Sequence, residues 1–294
     1  MLVTEQMRID PAYADRLRAC GLDCVTRCLA QVDGVVAAWS RTTDTLYVAP
    51  ERGATGFYLK RYYYPRWRNR LRGAFRGTFF GFHRGHAEYL SLSNLRRMGV
   101  PAIRPVAYGV RRVGHFVSAC FLITEEAPGA PNLTTFARRV VQGEHALTFA
   151  QRRAMTDVLA REVAEMHAAG CEHGQLFWRN ILVRTGPQRE PEYFLLDAEP
   201  RPLRRLGRGA DWWVRELAHL CVSALPLTTR ADRLRFLLRY ANTRRLTPAL
   251  RQYVSEIERL ALRWAPHERK RIRMNDLFET WRAQLALDRG GAIP

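Results

Sequence analysis

Apolar and polar residues alternate in three short runs near the start of the chain, VVAAWS (35–40), TLYVAP (45–50) and GFYLK (56–60). A period of two predicts three strands. RTTD (41–44) and ERGAT (51–55) supply the turns between them. Ahead of the strands, residues 5–32 carry helix-like apolar spacing and predict a helical lead-in over 1–34. In AEYLSLSNLRRMGV (87–100), Leu90, Leu92, Leu95 and Met98 recur at roughly helical spacing until Gly99 and Pro101 stop the pattern. VAYGVRR (106–112) and HFVSACFLITEE (115–126) read as two more strands, and APGAP (127–131) as a turn-rich hinge.

Beyond the hinge the period changes. FAQRRAMTDVLAREVAEMHAAG (149–170) is a long amphipathic helix pattern closed by Gly170. CEHGQLFWRNILV (171–183) then runs through a loop into a strand at 181–183, TGPQREPE makes a turn, and YFLLD (193–197) makes another strand. From about Asp211 the pattern is mostly helical. Strands first and helices afterwards predict an α+β chain in two lobes, an antiparallel-sheet N-lobe over 35–126 and a mainly helical C-lobe over 127–294.

Composition narrows the setting. The 294 residues, 47% of them hydrophobic, suffice for a real core. No stretch approaches the roughly 20 apolar residues of a membrane span. MLVTEQMRID lacks the basic-then-apolar order of a signal peptide, so a cytoplasmic protein is expected. The six cysteines are too scattered for a disulfide framework. Cys20, Cys24 and Cys28 would share one face of a single helix, but no further ligand accompanies them, and they read as small packing residues.

The formal charge of +19 implies an anionic partner: nucleic acid, phosphorylated substrate or membrane surface. Only Lys60 and Lys270 are lysines among 47 basic residues. A position that keeps lysine where arginine is otherwise the rule suggests a need for a compact ammonium. Lys60 ends an apolar strand, whereas Lys270 sits in polar HERKR.

A strand ending in Lys60, a helix carrying Glu88, a hinge, a long helix, the loop HGQLFWRN, a short hairpin and Asp197 follow one another in that order. The order resembles the protein-kinase-like fold, in which a strand lysine, a helix glutamate, an H-x-D-x-x-x-x-N loop and a later Asp serve phosphoryl transfer. His173, Gln175 and Asn180 stand at the loop spacing. The segments LKRYYYPRWRNRLRGAFRGTFFGFHRGHAEYLSLSNLRRMGVPAIRPVAYG, LLDAEP and RGADWWVRELAHL narrow the likeness to the bacterial lipopolysaccharide kinase family, over about residues 35–240. That resemblance implies ATP and Mg²⁺ as cofactors and a Kdo or heptose sugar of an anionic glycolipid as acceptor. It implies that Lys60 binds phosphates, that Glu88 holds Lys60, and that Asn180 and Asp197 coordinate Mg²⁺. Asp211 would brace the catalytic loop from below, and Glu125 and Glu126 fall at the hinge, where backbone groups meet adenine.

The chain departs from the pattern in three places. SRTTD occupies the first strand turn in place of G-x-G-x-x-G, and Ala198 and Glu199 follow Asp197 in place of Phe-Gly. Gln175 stands where the catalytic Asp belongs. An amide takes no proton at neutral pH, and the missing general base is typically worth ~10²–10⁴-fold. Phosphoryl transfer nevertheless proceeds mainly by positioning and electrostatics, and a glutamine carbonyl can orient a hydroxyl. Glu172 and Glu199 are near enough in sequence to substitute as bases.

Three readings follow: a sugar kinase acting through Gln175, Asn180 and Asp197, a nucleotide-binding pseudokinase acting as scaffold or regulator, and a nucleic-acid-binding protein. The third rests on segment 61–84, where Arg61, Arg66, Arg68, Arg70, Arg72, Arg76 and Arg84 interleave with aromatic residues. The kinase-like order makes nucleic acid the least favoured partner. The same segment suits phosphorylated glycolipid or anionic headgroups, hence an expected peripheral contact with the inner face of the inner membrane. His83 and His86 read as surface or packing residues, and His173 as a support of the loop.

Overall fold

A computed structural model describes residues 2–31, 33–49, 55–64, 83–186, 189–199 and 212–288. Six antiparallel strands form one sheet in the order β1-β5-β6-β4-β3-β2: β1 (Val3–Ile9), β2 (Val35–Ser40), β3 (Thr43–Val48), β4 (Phe57–Tyr63), β5 (Pro105–Val113) and β6 (Phe116–Glu125). A second, two-stranded sheet pairs β7 (Ile181–Gly186) with β8 (Arg189–Leu195). The helices of the first lobe are α1 (Ala14–Ala19), α2 (Val25–Ala30) and α3 (Arg84–Arg97). Those of the second are α4 (Leu133–Val141), α5 (Phe149–Ala168), α6 (Trp212–Ala224), α7 (Arg230–Tyr240) and α8 (Pro248–Asp288).

The expected α+β division into a sheet lobe and a helical lobe is what the chain adopts. The lead-in is not wholly helical, however. Val3–Ile9 is a strand that pairs along β5 from Val3↔Val113 to Ile9↔Ala107, satisfying backbone groups that an edge would otherwise leave open. A helical period read across 5–32 merges that strand with two short helices separated at Gly21, whose φ is 69°. Cys20, Cys24 and Cys28 therefore do not share a helix face: Cys28 is buried and Cys24 exposed.

Strand alternation in β4 decides which side chains meet the cleft. Phe57 and Leu59 point toward α1 and α2, packing with Leu17, Leu22, Val25 and Ile123. Arg61 lies on that same face. Its guanidinium donates to Asp44 at 2.8 and 2.9 Å and to the carbonyls of Leu29 and Gln31 at the end of α2. Buried and paired, Arg61 is withdrawn from the anion-binding surface expected of segment 61–84, and residues 65–82 of that segment lie outside the described residues. Lys60 and Tyr62 occupy the opposite face, toward α3.

Helix α3 starts three residues before the expected position. His83 is its N-cap: the ring Nδ1 accepts from His86 N–H at 3.3 Å, and burial pulls the imidazole down to about 3, keeping it a neutral acceptor. The buried stripe is Gly85, Glu88, Leu92 and Leu95, while Leu90 and Met98 are exposed. A glutamate on the inner face disguised the helical phase. Gly85 lets the helix lie directly on β6, since a Cβ there would stand 2.2 Å from the Phe121 carbonyl oxygen.

In the second lobe α4 is an element the apolar pattern did not reveal, capped by Asn132, which accepts from Thr135 N–H at 2.9 Å. Apolar residues of α3 to α8, among them Leu95, Val163, Leu217 and Ile257, form one core with the β7–β8 hairpin. Two backbone bonds, Ile103 N–H to Leu195 O at 3.0 Å and Leu195 N–H to Pro101 O at 3.1 Å, stitch the hairpin to the segment before β5. The hairpin ends at Leu195, so Asp197 lies just past the strand rather than closing it. Among the described residues no helix is long and apolar enough to cross a membrane.

Gly85→Ala must push α3 off the sheet, and overpacking of this kind costs about 1–3 kcal/mol. The variant is expected to unfold at a lower urea concentration than the parent with an unchanged m-value, measured by circular dichroism.

Candidate functional site

Lys60, Glu88 and Asp197, separated by 28 and 137 residues from the lysine, meet in the cleft between the lobes. The Lys60 ammonium donates to Glu88 Oε1 at 3.0 Å and Oε2 at 3.2 Å, and it also pairs with Asp197 Oδ1. Tyr62, two residues along the same strand face, donates its hydroxyl to Glu88 Oε2. Arg84 covers the Tyr62 ring at 4.6 Å. Burial opposes the Lys60 charge, but Asp197 and Glu88 outweigh it and hold the ammonium well above its usual range. Asp197 goes the other way: burial would raise it, and Lys60 holds it below the ordinary carboxylate value. Burial lifts Glu88 to about 7, with Lys60 pulling down and the Asp197 charge adding to the rise.

Asp197 sits at φ 59°, the left-handed region, which for a residue other than glycine marks backbone held by its surroundings. Those surroundings are the catalytic-type loop. His173 is fully buried. Its Nδ1 accepts from Gln175 N–H at 3.2 Å, so Nε2 carries the proton and donates to Leu196 O at 3.0 Å. Burial lowers the His173 pKa, in keeping with this neutral form. Glu199 N–H closes on His173 O at 3.1 Å, and Leu196 N–H on Asn180 O at 3.0 Å. The loop and the Asp197 segment are thus one hydrogen-bonded unit, and His173 supports it as expected.

Gln175 and Asn180 are joined directly: Asn180 Nδ2 donates to Gln175 O at 2.9 Å. With the amide nitrogen committed to a carbonyl, the oxygen of Asn180 is the atom left to accept a cation. Asp197, two-fifths exposed, turns its carboxylate toward the cleft, where the Lys60 ammonium stands in for a positive charge. One amide oxygen and one carboxylate are hard donors that fit Mg²⁺. The Gln175 backbone is fixed at both ends, its carbonyl also accepting from Phe177 N–H at 2.7 Å. Among the described residues its side-chain amide bonds to nothing.

Among the described residues, the brace beneath the loop comes from α6. Asp211 lies outside the described residues. Glu216, on α6, accepts from His173 N–H at 2.7 Å and from Gly174 N–H at 3.0 Å, one carboxylate oxygen to each. It is 1% exposed. Burial works against its charge, yet the His167 and His219 rings beside it hold the carboxyl far below the usual range. The His167 and His219 rings stand 3.9 and 3.7 Å away, so the two backbone amides are its only short hydrogen bonds among the described residues. The available signal was that Glu216 is the single acid in a mainly apolar helix. At the hinge, Glu125 accepts from Tyr13 and Arg16, and Glu126 from Tyr47 and the Gly56 N–H, so their side chains tie the lead-in and β3 to the hinge.

A family model described as "Lipopolysaccharide kinase (Kdo/WaaP) family" matches residues 36–240. The lipopolysaccharide core heptose(I) kinase WaaP of Pseudomonas aeruginosa is 30% identical over 156 residues, which are 52% of this chain and 58% of that protein. The match thus spans little more than half the length of that curated relative. Among solved structures, WaaP in complex with acyl carrier protein superposes with a TM-score of 0.62 at 22% identity, over 88% of this chain and 98% of that one.

Glu88 generates a pH prediction. Its folded value of about 7 exceeds the ~4.3 of an unfolded chain. Between those values the folded state keeps a proton that the unfolded state has released, so this group's contribution to stability falls as pH rises through the window. Glu88→Gln is expected to flatten the decline in urea midpoint between about pH 4.5 and 7; an unchanged slope would assign the decline to other groups.

Proposed function

Because this chain belongs to the lipopolysaccharide kinase (Kdo/WaaP) family, we propose that it is an ATP-dependent phosphotransferase acting on a sugar hydroxyl, Kdo or heptose, of a lipopolysaccharide-type core. The observation that carries the reading is the convergence of Lys60, Glu88 and Asp197 on one cleft beside Asn180. Lys60 takes the nucleotide phosphates, and Glu88, steadied by Tyr62, keeps its ammonium aimed. Asn180 and Asp197 hold Mg²⁺, which neutralises charge on the transferred phosphoryl group. The apo pairing of Lys60 with Asp197 gives way when each takes its own partner.

Gln175 orients the acceptor hydroxyl through its carbonyl oxygen. The loop fixes its backbone and leaves the side chain uncommitted, which supports that role. The hydroxyl proton leaves late, to an oxygen of the transferred phosphoryl group or to solvent once the bond to phosphorus has formed, because a loose transition state develops little positive charge on the attacking oxygen. The missing base favours one second reading, a pseudokinase that binds nucleotide and acts as a scaffold.

Mg²⁺-dependent ATP turnover with and without a Kdo- or heptose-containing acceptor decides between them. Acceptor-stimulated turnover that Asp197→Ala abolishes supports the kinase. In that case Gln175→Asp is expected to raise turnover, by up to about 10²-fold where proton removal limits the rate. Nucleotide binding lost in Lys60→Ala, with no turnover in any variant, establishes the pseudokinase instead.

The structural relative was solved with acyl carrier protein, and a carrier is the proposed protein partner here. An open, mainly apolar cavity of about 620 Å³ between α4, α5, α6 and α7, lined by Phe136, Leu159, Leu220 and Leu237, suits an acyl chain. Arg152, Arg230 and Arg233 also line it. An acylated carrier is expected to co-elute with the protein on size exclusion, and Leu220→Arg to prevent it; equal retention of the unacylated carrier would deny the cavity this role. Attachment to the inner face of the inner membrane remains part of the proposal, and flotation with anionic liposomes tests it.

A further inference from the structure

The family match ends at residue 240, and α8 begins at Pro248. A part of the chain beyond the matched residues nevertheless reaches the loop that carries Asn180. Glu268, 5% exposed, forms an ion pair with Arg179, the residue immediately before Asn180. The Arg179 guanidinium covers the Phe177 ring at 4.0 Å. Phe177 in turn lies against the His219 ring at 4.2 Å, and His219 stacks on Trp264 at 4.3 Å. Trp264 and Glu268 are one helical turn apart on α8, on either side of Pro266. The helix therefore grips the loop twice, through a ring stack under Phe177 and through a charge on Arg179.

Asn180 sits inside that grip. Its N–H donates to Phe177 O at 2.8 Å, and its carbonyl accepts from Leu196 N–H, one residue before Asp197. Arg179 is near enough to Asp197 to feel its charge. A buried guanidinium left without its carboxylate seeks another acceptor, and among the described residues Asp197 is a carboxylate whose charge already reaches Arg179. We propose that α8 is a working part of the catalytic site. Glu268 is its positioning residue: by holding Arg179 it fixes the loop around Asn180 and keeps the guanidinium off Asp197. The inference rests on the reading of Asn180 and Asp197 as the residues that hold Mg²⁺.

The test is Mg²⁺-dependent binding of a fluorescent ATP analogue to the full-length chain, at a temperature where each variant is folded by circular dichroism. Hydrogen exchange of the 173–183 amides without metal gives a second readout. Glu268→Gln is expected to raise the Mg²⁺ concentration for half-maximal binding on the order of 10–100-fold and to speed exchange in the loop. Arg179→Met/Glu268→Met, which removes both charges, is expected to recover the Mg²⁺ response, because no guanidinium then competes for Asp197. A folded Glu268→Gln with the parent's Mg²⁺ response and parental exchange overturns the inference and leaves the kinase reading standing. A parent chain that binds no Mg²⁺–nucleotide overturns the kinase reading, and the inference falls with it. If Glu268→Gln fails to fold, Glu268→Asp keeps the charge, draws it back by one methylene, and is judged by the same criteria.

Discussion

One ammonium group organises the cleft. Lys60 is held between Glu88, from the helix of the sheet lobe, and Asp197, from the loop of the helical lobe. Each partner comes from a different element, and the three can meet only if β4 keeps its register, α3 lies flat on β6 and the Asp197 segment turns through its left-handed residue. Two carboxylates around one cation, Glu88 buried and Asp197 facing the cleft, would repel each other. The site answers with asymmetry: burial raises Glu88 above the ordinary carboxylate value, while Lys60 holds Asp197 below it. The asymmetry suits the proposed roles, since a metal ligand must be ionised, whereas a residue that only aims an ammonium can do so as a hydrogen-bond acceptor.

The loop opposite Lys60 is built on the same principle from below. Glu216 gives one oxygen to each of two successive backbone amides, and a neutral His173 links Gln175 to Leu196. A fully buried carboxylate is costly unless its lone pairs are used. Here they are used to fix backbone, so the cost of burial is returned as precision in where Gln175, Asn180 and Asp197 stand. Helix α6, which carries Glu216 and His219, lies between the loop and α8, and the loop is therefore supported by two successive helices.

Lys60, Glu88, Asn180 and Asp197 were legible because their order along the chain is itself information, even though each alone is an ordinary residue. The two lobes were legible because the apolar period changes from two to 3.6 after the hinge. β1 was not, since seven residues of mixed polarity become a strand only by pairing with β5, whose partner residues lie 98 to 110 positions along the chain. Glu88 hid the phase of its own helix, because a buried glutamate breaks the apolar stripe that reveals an inner face. Glu216 was overlooked because no motif position marks it; it accepts the two loop amides, whereas Asp211 lies outside the described residues. Arg61 was misjudged because a run of arginines reads as surface charge, although the two-residue period of β4 sends this one inward to Asp44.

Gln175 fits this charge arrangement. An aspartate there would add a third carboxylate beside Glu88 and Asp197, in a loop whose neighbour Asn180 already bonds its carbonyl and where Lys60 already pairs with both acids. A neutral amide leaves that balance undisturbed and still offers a carbonyl acceptor to a hydroxyl. What it gives up is proton removal, a contribution that a loose transition state uses late and only in part. On the proposed kinase reading, the substitution therefore removes the least necessary of the loop's functions and spares the ones that depend on geometry. The surrounding structure, in which Glu216, His173 and Glu268 are all occupied with holding the loop in place, is what a site relying on position rather than on a base requires.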